Sequence, residues 1–212
     1  MTEYENEPIR GLPGVLPAGE QILWQGAPAW RVLARTAFHT RLVMGYFVAL
    51  AGVALASALL THGNYVGVTM TVALGTIGVA LLHLLAWGAA TTTVYTVTNR
   101  RIVLRVGIAV PKCVNLPLGM IGAVDLAERA DGTGDVALAI AGPAKLGIAA
   151  LWPHARPWRI VTPQPMLRAI PDAQRIAALI ARCCVALDRD VAAPAHDAQR
   201  ERLPAFAEAA AA

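Results

Sequence analysis

The chain has 212 residues, 56% of them hydrophobic and only 15% charged, with a net charge of +4. A mean hydropathy of +0.51 is that of an integral membrane protein rather than of a soluble domain. The basic residues form no long run and no nucleic-acid motif, and Cys113, Cys183 and Cys184 offer neither a zinc knuckle nor a CxxC redox pair.

Residues 1–28 read as an extended N-terminal segment, because Gly11, Pro13, Gly14, Pro17 and Gly19 interrupt regular structure. Within it, residues 20–26 (EQILWQG) suit a short strand or turn. The opening MTEYENEPIR is acidic and polar, unlike a cleavable signal peptide, so the first hydrophobic run would itself target the chain. Residues 29–41 read as a basic juxtamembrane helix along the membrane surface, with Arg31 and Arg35 on one face and Arg41 at its end.

Residues 42–99 contain no Asp, Glu, Lys or Arg. Two apolar runs, 42–61 and 65–90, are each long enough for the roughly 20 helical residues that cross a bilayer. Thr61-His62-Gly63-Asn64 joins them, so residues 42–90 are expected to form a two-helix transmembrane hairpin. Arg31, Arg35 and Arg41 precede the hairpin, Arg100, Arg101 and Arg105 follow it, and its loop has no Lys or Arg. Both termini are therefore expected in the cytoplasm, where the thiols stay reduced, with the six arginines facing anionic lipid headgroups.

After residue 90 the pattern becomes that of strands. Residues 91–98 (TTTVYTVT) and 101–106 (RIVLRV) flank Asn99-Arg100 as a hairpin. Further strands are expected at 113–118, 121–130, 135–141, 146–151 and 158–161, with Asp131-Gly132-Thr133-Gly134 as a turn. Asp125, Glu128, Asp131 and Asp135 read as a solvated edge around that turn. The apolar run 136–152 competes as a third crossing, but Gly142, Pro143 and Lys145 interrupt it, and two strands are preferred. Residues 172–187 carry the clearest amphipathic helix, with Asp172 at its start and Ile176, Leu179, Ile180, Cys183 and Leu187 in one stripe. The Ala/Pro-rich residues 189–212 read as a disordered tail.

The strand pair YTVTNRRIVLR (95–105), several short strands and one amphipathic helix follow the order of a pleckstrin-homology (PH)-like domain. Residues 11–26 (GLPGVLPAGEQILWQG), 152–159 (WPHARPWR) and 167–180 (LRAIPDAQRIAALI), taken with the hairpin, resemble the PuhB-type photosynthetic complex assembly proteins of purple bacteria, a membrane-anchored PH-like family. The resemblance spans residues 11–188. The fold it implies is a membrane α-helical hairpin plus an α+β PH-like domain at 91–188, about seven antiparallel strands in a sandwich or barrel closed by a C-terminal helix. It also implies a non-enzymatic assembly factor for the photosynthetic reaction centre and its core antenna, multi-pass in the bacterial inner membrane. The other functional reading is a PH-like adaptor that binds lipid headgroups or another membrane protein.

No GxSxG, HExxH, phosphate-loop or dinucleotide motif is present, so no catalytic residue or cofactor is assigned. His83 lies within the second apolar run, one turn from Trp87. An intramembrane imidazole either hydrogen-bonds across helices or, in an assembly factor, transiently ligates bacteriochlorophyll magnesium. Gly67, Thr71 and Gly75 on one helix, and Gly45 and Ala49 on the other, form small-residue faces for packing within the hairpin, for a homodimer or for client helices. In WPHARPWR, Trp152, His154, Arg156, Trp158 and Arg159 are candidate partner contacts, and His154 is expected to titrate near neutral pH. Alternatively, the tryptophans cap the β-core.

Overall fold

A computed structural model describes residues 9–12, 14–61, 63–108, 110–142 and 147–202. His62 and residues 203–212 therefore lie outside the description, as do residues 1–8. In chain order the elements are β1 (Ile22–Gly26), α1 (Trp30–Thr36), α2 (Thr40–Leu60), α3 (Val66–Thr92), β2 (Val94–Thr98), β3 (Arg101–Val106) and β4 (Lys112–Pro117). A 3-10 turn (Leu118–Met120) leads to β5 (Ile121–Glu128), β6 (Thr133–Ile140), α4 (Ile148–Leu151), β7 (Met166–Pro171) and α5 (Ala173–Arg202).

The charge-free stretch forms α2 and α3, two helices long and apolar enough to cross a membrane. Their side chains point outward almost everywhere, with only 6% of each apolar window buried. Thr91 and Thr92, expected to open a strand, instead end α3. Their hydroxyls donate to the carbonyls of Trp87 (3.0 Å) and Gly88 (2.9 Å), the back-bonding open to a threonine inside a helix. Thr93 is the only residue between α3 and β2, so the helix passes into the sheet without a linker.

Helix α1 is shorter than the expected 29–41 and does not lie free along a surface. Val32, Leu33 and Ala34 are buried against Ala86, Ala89 and Ala90 of α3 and Ala169 of β7. The chain then turns at His39, in left-handed backbone, to start α2.

The strands form two antiparallel sheets, β1-β2-β3-β4 and β5-β6-β7, which do not close into a barrel. The physical reasons lie at the seams. At one, Pro117 lacks a backbone donor and a helical turn separates β4 from β5. At the other, β7 meets α1 and the 152–165 segment: Ala29 N–H donates to Ala169 O (2.8 Å) and Ala155 bridges Pro165. The sheets share a core of Tyr95, Ile102, Leu104, Leu138 and Leu167, covered by Ile176 and Ile180 of α5. The C-terminal helix continues to Arg202, well beyond the expected end, so residues 189–202 are helical rather than disordered. Ala192, Ala193, Ala195 and Ala198 favour that continuation, against Pro194, which has no N–H to donate within the helix.

Among the described residues two expected strands, 146–151 (whose residue 146 lies outside the description) and 158–161, do not form. Ile148–Leu151 is a single helical turn, and residues 158–161 are irregular, with Trp158 in left-handed backbone. The seventh strand is instead Met166–Pro171. Residues 136–140 belong to β6 and Ile148–Leu151 to a single helical turn, so the described residues of the run 136–152 form no third membrane helix.

The Asn99-Arg100 turn also fastens the N-terminal segment. Asn99 accepts from Gln21 N–H (3.0 Å) and donates to Gly19 O (3.0 Å). Beside it, buried Glu20 accepts from Arg101 Nε (2.8 Å) and the Thr98 hydroxyl (2.8 Å). Burial pushes the Glu20 carboxyl up, but these hydrogen bonds and the charges of Arg101 and Arg100 more than offset it and hold the pKa below its usual value.

Candidate functional site

The segment 152–168 folds over the junction of α1, α3, β2 and β7, and its residues divide into buried and outward sets. His154 is fully buried. Its Nε2 lies 3.1 Å from the Thr93 hydroxyl and its Nδ1 lies 2.6 Å from the Tyr95 hydroxyl. Thr93 donates its own proton to Ala89 O (2.6 Å), so it must accept from Nε2–H. Tyr95 oxygen accepts Arg168 N–H (3.2 Å), which leaves its proton for Nδ1. A neutral His154 ring protonated on Nε2 satisfies the Thr93 hydroxyl, both ring nitrogens and the Tyr95 hydroxyl together.

Burial, and then the Arg168 charge, lowers the His154 pKa to about 3, so it does not titrate near neutral pH as the sequence suggested. Nor does it present a surface to a partner. It pins the end of α3 to the sheet. Burial likewise raises the Tyr95 pKa well above its ordinary value.

Arg168 fastens the other side. Its guanidinium donates to Pro153 O (2.9 Å) and Thr36 O (3.2 Å), tying β7 to the 152–156 segment and to α1. Asp135 is 8% exposed and is no part of a solvated edge. It pairs with Arg129 and accepts Ala169 N–H (2.7 Å), because the backbone bulge between β6 and β7 turns that donor toward it. Asp131 does remain exposed and caps its own turn through Thr133 N–H (3.1 Å).

The outward residues surround a recess of about 480 Å³ on the outer face of the β5-β6-β7 sheet. Arg156 pairs with Asp125 and donates to Gln164 (3.0 Å), which holds the wall in place. Trp158 is 94% exposed, Arg159 is exposed beside it, and Ile160 and Val161 continue the apolar rim. Trp152 lies edge-on to Phe38 (5.4 Å), just ahead of α2, with half its surface open. The tryptophans of WPHARPWR therefore do not cap the β-core: Trp152 and Trp158 are exposed with Arg159, while His154 is the segment's internal anchor.

The other candidates do not join this site. His83 is exposed on α3, with Nδ1 2.8 Å from Val79 O, and Trp87 is exposed one turn on. Gly75 packs under Phe47, where an added Cβ would come within 2.8 Å. At Gly45 and Gly67 an added Cβ would meet nothing. Ala49 is also exposed, and the Thr71 hydroxyl bonds back to Gly67 O (2.8 Å). Of the small-residue faces, Gly75 provides the close approach inside the hairpin. Among the basic residues, Arg31, Arg35, Arg41 and Arg100 are exposed, Arg105 is partly buried, and Arg101 is held by Glu20. Among the described residues no group of three or more His, Cys, Asp or Glu could hold a metal ion.

Sequence reasoning missed Thr93, Tyr95, Asp135 and Arg168 as site residues. One signal was legible: Arg168 is a lone cation inside the otherwise apolar stretch 166–171.

Two antiparallel sheets followed by a C-terminal helix, entered directly from the apolar helix α3, are the elements of a PH-like protein. The chain belongs to the bacterial PH domain family, whose model matches residues 39–182. It is also 35% identical over 191 residues to a Rhodobacter capsulatus protein described as "Uncharacterized 23.7 kDa protein in puhA 5'region", covering 87% of this chain and 88% of that one. No solved structure matches.

Proposed function

We propose that this chain is a PuhB-type, non-enzymatic assembly factor for the photosynthetic reaction centre and its core antenna, anchored in the bacterial inner membrane by α2 and α3. The observation that carries the reading is the likeness, over most of both chains, to a purple-bacterial protein whose description places it in the puhA 5' region. The length and apolarity of α2 and α3 support the anchor. The arginines on both sides of the hairpin favour cytoplasmic termini.

In this reading α2 and α3 engage client transmembrane helices. Trp152, Arg156, Trp158 and Arg159 meet the cytoplasmic surface of reaction-centre or core-antenna polypeptides. Exposed Trp and Arg supply the large contact area and charge that interface anchors need. The factor holds no resident cofactor. If pigment passes through it, His83 is the ligand, because donation from Nδ1–H to Val79 O leaves the Nε2 lone pair on the exposed face. A His83→Leu chain would then purify without the pigment that accompanies the parent.

The test is near-infrared absorbance of membranes from a strain lacking the protein, beside a complemented strain. Loss of the reaction-centre and core-antenna bands, restored by complementation, is expected. Unchanged bands at matched growth and pigment supply refute the assembly role. Membership of the PH family favours a second reading, a headgroup-binding adaptor outside photosynthesis. Unchanged bands together with headgroup-selective vesicle binding by the full chain would support it.

A further inference from the structure

The turn between β3 and β4 has an unusual composition for an exposed hairpin tip. Gly107 to Pro111 reads GIAVP, without a charged or polar side chain, between Arg105 and Lys112. Turns in water favour Asn, Asp and Ser beside Gly and Pro. Here Val110 is 68% exposed and Ile108 44%. The conformation is set by Gly107, at φ 122°: a Cβ there would stand 2.2 Å from the Val110 carbonyl oxygen. Val110 is thus largely open, while Ile108 is half-exposed beside it.

This tip leans on α3. Ile108 Cγ2 lies 3.5 Å from the position a Cβ would take on Gly88. Gly88 is four residues before the helix ends at Thr92, about 6 Å inside that end at the usual helical rise of about 1.5 Å per residue. Exposed Trp87 sits beside it, at the level where aromatic rings favour a membrane–water interface. Behind the tip is a recess of about 220 Å³ lined in part by Arg10, Arg105 and the threonines 91 and 92. Arg10 is directed there by donation to Thr91 O (3.4 Å). An apolar tip level with the end of an apolar helix, and backed by Arg10, Arg105 and Lys112, matches the order of acyl chains and phosphates in a bilayer surface.

We propose that the β3–β4 turn is a membrane-interface anchor. Ile108 and Val110 enter the acyl boundary alongside α3, and Arg10, Arg105 and Lys112 meet anionic phosphates. The inference rests on the reading that α2 and α3 span a bilayer, and it adds a third point of contact that holds the β-sheets against the membrane.

The test uses the full chain with its three cysteines replaced by alanine, in vesicles of phosphatidylcholine and phosphatidylglycerol. Nitroxide labels are placed singly at Val110→Cys, at Ile77→Cys in α3, and at Val161→Cys on the far rim. Relaxation by oxygen, which partitions into lipid, is compared with relaxation by a water-soluble nickel chelate. An oxygen-favoured ratio at 110, on the side of position 77 and opposite to 161, is expected. A nickel-favoured ratio at 110 with an oxygen-favoured ratio at 77 overturns the anchor and leaves the spanning helices intact. Shielding of 110 from both reagents also overturns it, in favour of a polypeptide contact. A nickel-favoured ratio at 77 removes the spanning reading and the anchor with it. If the Val110→Cys chain fails to fold, Ile108→Cys gives the same comparison.

Discussion

Neutral, buried His154 makes the stability of this protein depend on pH in a defined window. The folded-state pKa of about 3 lies below the ordinary value of 6.5, so between these values the unfolded chain binds one more proton than the folded one. The contribution is fully present above pH 6.5 and is lost as pH falls toward 3. At about 1.4 kcal/mol per pH unit, the loss reaches about 2 kcal/mol by pH 5, a large share of a net stability on the order of 5–15 kcal/mol. The assay is chemical unfolding of the full chain in detergent micelles, followed by near-ultraviolet circular dichroism from pH 7.5 to 5. The comparison is His154→Gln, whose amide can accept from Tyr95 and donate to Thr93 without titrating. The parent should lose stability more steeply by about 1.4 kcal/mol per unit below pH 6.5, whatever the absolute stability of the variant. Parallel slopes would refute the assignment of His154 as a buried neutral ring.

Other outcomes test separate parts of the molecule. Glu20→Gln should cost about 1.5–3 kcal/mol at pH 7, because Arg101 and Thr98 lose a charged acceptor. Since the Glu20 pKa is lowered on folding, that gap should close as the pH falls below the ordinary 4.5; a gap independent of pH would contradict the pairing. Gly75→Ala should weaken hairpin packing by about 1–3 kcal/mol through its clash with Phe47, whereas Gly45→Ala and Gly67→Ala should stay within about 0.5 kcal/mol. Thermal unfolding in micelles distinguishes them, and equal losses at all three would overturn the packing account. Under the assembly reading, a Trp158→Ala, Arg159→Ala double variant should reduce the reaction-centre and core-antenna bands while its unfolding midpoint stays near that of the parent. A full band intensity would exclude this rim as a client contact.

The features legible in the sequence were those with local causes. The absence of charge over 42–99 marked both long helices, and Asn99-Arg100 and Asp131-Gly132 marked hairpin turns that structure retains. The stripe from Ile176 marked the face of α5 that covers the core. The misreadings came from competing local signals. Thr91 and Thr92 have strand propensity, yet they continue α3 with their hydroxyls bonded back to Trp87 and Gly88. Helix α5 runs on through Pro194 to Arg202, where the Ala/Pro-rich composition suggested disorder. The polar network was hidden for a different reason. Tyr95, His154 and Arg168 are 59 and 73 positions apart in their pairings with Tyr95, so only the assembled sheets bring their donors and acceptors together.

The same network bears on how a factor of this kind would pass information between its parts. A hairpin joined to a domain by a flexible linker can recruit a client without orienting it. Here Thr93 alone separates α3 from β2, His154 holds Thr93, and Arg168 binds the carbonyls of Pro153 and Thr36. Helix α1 adds an apolar seal between α3 and β7. Tilting the hairpin against the sheets would therefore break buried hydrogen bonds that have no replacement partner, each costing on the order of 1–3 kcal/mol. The helices and the outward rim at Trp158 are held in a fixed relation. In the proposed assembly role, a client's transmembrane helices and its cytoplasmic surface would be received at a set distance and angle, and the buried residues of the junction would govern orientation rather than affinity.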